Sequence, residues 1–121
     1  MAIERVVQGD RLILKDRNKT VLTMQETLKD DCIEIILEGE LRSEVRHPFG
    51  DELNALILLD KHLKIDLAKV TYLSSNCSLA LIEAQQKADD TEKGSLCLKN
   101  VPAAILEEMK ANGMAARLMI E

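Results

Sequence analysis

At 121 residues with a formal net charge of −5, the chain has room for one ordinary domain and lacks the basic excess on which nucleic-acid binding depends. Its apolar fraction of 46% is enough for a core, but Leu, Ile, Val, Ala and Met supply nearly all of it. A single Tyr (Tyr72), a single Phe (Phe49) and no Trp exclude the aromatic platforms on which bases, sugars or flavins stack.

The first segment reads as a hairpin: Arg11–Leu14, a polar turn over Lys15–Lys19 containing Asp16 and Asn18, then Thr20–Gln25. Cys32–Leu37 is almost continuously apolar and ends at Gly39, which predicts a central strand covered on both faces. From Pro48 the period changes. Phe49, Leu53, Leu56 and Ile57 fall on one face of a helix that either Ser43 caps or Pro48 opens. Leu63, Ile65 and Leu67 alternate with Lys64 and Asp66 as a second core strand. Ser74-Ser75-Asn76 offers N-cap residues before an Ala/Leu-rich helix through Leu79, Ile82 and Ala84 to about Ala88. After a turn at Thr91–Gly94, Leu96 and Leu98 mark a further strand. Pro102 suits a first helical position, Val101, Ile105 and Met109 share a face, and Gly113 stands where a left-handed cap belongs. Arg117–Ile120 closes the chain as a short strand. This order, β-β-β-α-β-α-β-α-β, predicts one α/β domain over residues 1–121, with three or four helices packed on a mixed, largely parallel sheet of four to six strands.

Common catalytic signatures are missing: no GxxxxGK[ST], GxGxxG or GxSxG occurs, and His47 and His62 sit in different elements without a neighbouring nucleophile. Cys32, Cys77 and Cys97 are odd in number and show no CxxC or Cys/His spacing, so neither a disulfide framework nor a zinc site is expected, and no cofactor. Met-Ala-Ile-Glu-Arg is charged too early for a signal peptide, and the longest apolar run, Ala55–Leu59, is too short to span a bilayer. Free thiols without an export signal predict a cytoplasmic protein with no membrane insertion.

One constellation stands out. Val70 to Leu79 places the hydroxyls of Thr71, Ser74, Ser75 and Ser78 where a strand ends and a helix begins. Functional groups of open α/β sheets gather outside the carboxyl ends of strands, and a helix N-terminus tolerates an anion such as a phosphoryl group. The alternative is structural: Ser74 or Ser75 is simply an N-cap. Cys77, near the same helix start, also admits a redox or nucleophilic reading through a depressed pKa, although no basic residue is close to it in sequence.

Leu37-Glu38-Gly39-Glu40-Leu41, Ile65-Asp66-Leu67-Ala68-Lys69-Val70-Thr71-Tyr72-Leu73, Gly94–Leu98, Val101-Pro102 and the Gly113 turn, taken in order, resemble a STAS domain. This is the module shared by anti-sigma-factor antagonists and the cytoplasmic tails of sulfate transporters. The likeness spans Cys32–Ile120, with residues 32–121 as the family-like core and residues 1–31 as an N-terminal β-hairpin extension. It implies a non-enzymatic, protein-binding regulator of transcription, bacterial in type, whose partner is a serine kinase that doubles as an anti-sigma factor. The family loop Asp-Ser-Ser/Thr-Gly falls on Ser74-Ser75-Asn76-Cys77. The resemblance therefore implies Ser75 as phosphoacceptor with Ser74 as the fallback, and Ser74, Ser75, Asn76, Cys77 and Ser78 as partner-binding residues. Of the four loop positions only the acceptor is kept. A phosphate there would add roughly −1.5 to −2 charges to a docking surface. The altered loop also admits a scaffold that is never phosphorylated, in a signalling or transporter-associated complex.

Overall fold

The computed structural model describes residues 3–121; Met1 and Ala2, which open the segment read against a signal peptide, lie outside the described residues. The N-terminal half is built from short antiparallel connections. Strand β1 (Glu4–Gln8) turns at Gly9 into β2 (Arg11–Asp16), which turns again into β3 (Lys19–Leu28). Arg17 and Asn18 both have positive φ, 52° and 64°, the two-residue hairpin geometry whose twist matches that of the flanking strands. The expected hairpin is therefore present, with a tighter turn. Strand β1 was not anticipated, because Glu4-Arg5-Val6-Val7-Gln8 shows no clean alternation, and its exposed pattern is that of a sheet edge.

Strand β4 (Cys32–Leu41) pairs antiparallel with β3 and parallel with β5 (His62–Leu73). It does not stop at Gly39. That residue takes φ +118° beside a register shift, and a Cβ there would overlap the Val21 carbonyl oxygen, so glycine lets the strand pass a bulge and continue. Strand β6 (Ser95–Lys99) pairs parallel with β5, giving one sheet in the order β1-β2-β3-β4-β5-β6. The sheet is mixed, as expected. Its parallel part is confined to β4–β5–β6, and the unforeseen β1 enlarges the antiparallel share.

Helix α1 (Arg46–Ile57) links β4 to β5, and α2 (Ser75–Asp89) links β5 to β6. Neighbouring parallel strands joined by right-handed crossovers in one direction put both helices on the same face. Phe49, Leu53, Leu56 and Ile57 of α1 are buried as their spacing predicts. They belong to one core cluster with Leu14, Met24, Ile33, Ile35, Leu63, Ile65, Leu81 and Leu98. The opposite face is bare, which corrects the expectation that β4 is covered on both sides: Glu34 is half-buried and Ile36 exposed. Cross-strand charges suit that face to water, with Glu34 opposite Lys64 and Asp66 opposite Lys99. The Lys29 ammonium, 2.7 Å from Glu34, holds that carboxyl below its usual range.

Helix α3 (Ala103–Ala111) buries Ile105 and Met109. Pro102 precedes it as the extended N-cap rather than opening it. Gly113 takes the left-handed conformation as expected, φ 80°. The closing strand is the remaining correction. Met114–Arg117 winds into a 3₁₀ turn, good helix formers having followed the glycine, and only Ile120 bridges to Leu98.

Candidate functional site

The site forms where β4 and β5 end. Beyond Asp66, β5 outruns β6 and keeps only β4 as a partner. The Asp66 carboxylate fixes this point, accepting from the Ala68 N–H at 2.9 Å and from Asn100 Nδ2 at 3.1 Å. The inward positions then shift from Leu63, Ile65 and Leu67 to Val70 and Leu73, which carries the chain to the rim in the right phase to start α2. The Ser74 N–H donates to the Leu41 carbonyl at 2.9 Å, tying the two strand ends together.

Ser74 is the N-cap of α2. Its backbone is extended, its Oγ accepts from the Cys77 N–H at 3.2 Å, and the residue is 4% exposed. Ser75 and Asn76, at the first two helical positions, are exposed, whereas Cys77 and Ser78 face inward. The five residues implied by the family loop thus divide between an exposed pair and a buried three. Leu79, one turn after Ser75, is 39% exposed and extends the outward stripe.

Residues that sequence reasoning did not assign complete the surroundings. A narrow cleft between the start of α2 and α3 is lined by Tyr72, Ser75, Ser78, Glu108 and Asn112. Glu108 of α3 and Asn112, the residue that caps its end, are four apart, a spacing that could have marked them as neighbours. On the other side Arg46 pairs with Glu83 at 2.7 Å and Arg42 with Glu40 at 3.0 Å. The stretch Arg42–Gly50 forms a 3₁₀ turn at Ser43–Val45 and the first turn of α1. That placement brings Arg46 close to Cys77.

The reactive-thiol reading of Cys77 is corrected. Burial pushes the thiol up, and the Ser74 hydrogen bond and the Arg46 charge only partly oppose it. Its Sγ lies 3.3 Å from the Arg42 carbonyl, to which it donates. A buried thiol with a raised pKa packs and hydrogen-bonds and is a poor nucleophile. At the opposite rim His62 Nδ1 and Ser95 Oγ meet at 2.6 Å across the strand starts. Among the described residues nothing hydrogen-bonds the other ring nitrogen, so no third member orients the imidazole as a triad needs. An open groove also lies at that rim, among Asp30, Asp31, Asp60, Lys61 and His62, remote in the fold from Ser75. Among the described residues no group of carboxylates, thiols and imidazoles has a metal-holding arrangement, and no helix is long and apolar enough to cross a membrane.

Residues 24–121 match a protein-family model described as "Mlab, STAS domain". The chain belongs to the STAS family. Solved structures of anti-sigma factor antagonists share its fold. An anti-sigma factor antagonist from Mycobacterium paratuberculosis superposes with a TM-score of 0.71 at 16% identity, over 82% of this chain and 84% of that one. The unphosphorylated anti-sigma factor antagonist SpoIIAA gives 0.67 at 12% identity, over 81% and 87%. The phosphorylated form of SpoIIAA, a Bacillus cell fate determinant, gives 0.61 at 12% identity, over 81% and 90%. No curated protein matches the chain.

Proposed function

We propose that this STAS domain is a protein-binding regulator of the anti-sigma-factor-antagonist kind. In this reading it acts in the bacterial cytoplasm, where it docks a serine kinase or anti-sigma factor through the exposed start of α2. Ser75 is the switch. Its hydroxyl oxygen takes a phosphoryl group from the kinase's nucleoside triphosphate, giving up its proton and releasing the diphosphate. The observation that carries this reading is the division of labour between adjacent serines. Ser74 is buried and committed to the cap, while Ser75 presents a free hydroxyl at a helix N-terminus, where backbone N–H groups favour added negative charge. Likeness to a solved phosphorylated antagonist is in keeping with it.

A second reading, a scaffold without the switch, is favoured by one feature: Glu108 lines the same cleft as Ser75, and a carboxylate beside a phosphate is repulsive. Intact mass of the protein from its own cells, before and after phosphatase, separates the two. A phosphate located on Ser75 by fragmentation supports the switch, whereas an unmodified protein in every growth condition supports the scaffold. In partner binding, Ser75→Asp should weaken the complex and Ser75→Ala should preserve it; equal binding by both variants would overturn the switch.

A further inference from the structure

The arrangement at Glu26 lies outside the site just described and is independent of that functional reading. Glu26 follows Leu22 and Met24 on the helix-facing side of β3, opposite Ile35 of β4. Its Oε2 is, among the described residues, the one buried side-chain oxygen or nitrogen without a hydrogen-bond partner. The group it faces is another carboxyl, Glu52 of α1. Glu52 is itself mostly covered, with a side chain 13% exposed, and its Oε1 receives the Arg5 guanidinium of β1 at 3.0 Å.

Two ionised carboxylates have only acceptors to offer each other, so the contact is satisfied only when one of them carries a proton. Arg5 decides which. Its guanidinium is engaged with Glu52 Oε1 at 3.0 Å, leaving Glu26 as the acid that donates. We propose that Glu26 and Glu52 share one proton across the β3–α1 interface as a clasp between sheet and helix, and that Arg5 takes over as counter-charge when the proton leaves. Arg5 belongs to β1, which lies outside the residues matched by the family model, so the added strand supplies the cation that the pair would otherwise lack.

The charged groups facing Glu26 are these two, Glu52 from α1 and Arg5 from β1. β4 contributes the apolar Ile35. From the β1–β2 turn the Asp10 carbonyl accepts the Glu26 N–H, while the Asp10 carboxylate is engaged by Gln25. Burial first, then the hydrogen bond and charge of Glu52, push Glu26 up to about 8, with Arg5 opposing. An acid whose folded pKa is raised binds its proton more tightly when folded. The clasp therefore stabilises fully below the ordinary value of 4.5 and loses its effect as pH rises to about 8. Across that window the unfolding constant rises by up to about tenfold per pH unit. Arg5 acts in the reverse sense, since its contribution grows as Glu26 ionises.

The test is urea unfolding of the wild type, Glu26→Gln and Arg5→Gln at intervals from pH 5 to 9, together with carbon-13 NMR titration of the Glu26 carboxyl in the wild type and Arg5→Gln. The wild type should lose stability relative to Glu26→Gln up to about pH 8 and then run parallel to it. Arg5→Gln should prolong the loss to higher pH and move the Glu26 titration upward. Glu26 titrating in the ordinary carboxyl range would overturn the proposal without reference to any variant. So would coincident pH profiles for the wild type and Glu26→Gln.

Discussion

Replacing Ser74 by Ala should cost stability where replacing Ser75 by Ala should not, although the two are adjacent hydroxyls. Among the described residues the Ser74 Oγ is the only side-chain acceptor at the start of α2, 3.2 Å from the Cys77 N–H, and Cys77 is fully buried. Deleting the oxygen leaves that N–H shielded from water as well as unbonded. Loss of a Ser cap to Ala costs about 1 kcal/mol, with a range of about 0.5–2, and burial of the orphaned donor places Ser74→Ala in the upper half of that range. For a chain of this length 1 kcal/mol corresponds to about 4 °C in Tm. Ser75 is exposed at the first helical position, and Ala there should change stability by less than about 0.5 kcal/mol. Urea denaturation followed by far-UV circular dichroism measures both, with unchanged m-values as the check that only the midpoint has moved. If Ser75→Ala proves as destabilising as Ser74→Ala, or if Ser74→Ala is silent, the assignment of one serine to structure and the other to the surface is wrong.

Two other outcomes follow from the geometry. Gly39→Ala adds a Cβ against the Val21 carbonyl at a backbone angle that L-residues rarely adopt. It should destabilise by about 3 kcal/mol or more, and a urea-derived loss below about 1 kcal/mol would mean that β3 and β4 part more easily than their register suggests. Cys77, buried and with its thiol pushed up, should be modified by a thiol reagent in the folded protein more slowly than the half-buried Cys97. Mass-spectrometric mapping at early times checks the order, and labelling of Cys77 ahead of Cys97 would reopen its reactive reading.

Most of the framework could be read from periodicity, because core-facing residues repeat at the spacing of their element. Phe49, Leu53, Leu56 and Ile57 mark α1 by a helical repeat, and Leu63, Ile65 and Leu67 mark β5 by alternation. The misreadings occur where the local signal was weak or a tertiary partner decided the outcome. β1 has too few apolar residues to announce itself and is held by pairing with β2. The apolar run of β4 looked doubly buried because Ile36 continues it, yet that residue faces the uncovered side. Around the site, the Val70–Leu79 segment and the cap were legible because an N-cap is a local event. Glu108, Asn112 and Arg46 were not, since α3 and α1 deliver them from other parts of the chain. Cys77 shows the same limit: its helix-start position suggested a lowered pKa, and its burial, invisible in one dimension, reversed the sign.

The sheet order β1 to β6 is also the order in which the chain is written. Each strand hydrogen-bonds to the strand immediately before it in sequence, so the sheet can grow from one edge as the polypeptide emerges, without inserting a late strand between earlier ones. Loop closures stay short along the antiparallel half and are bridged by a single helix along the parallel half, a low-entropy route of the kind that speeds folding. The same rule makes the N-terminal edge an open construction front. A strand such as β1 can be gained or lost there without rethreading the four strands from β3 to β6, and the rim that presents Ser75 is not interrupted by the change.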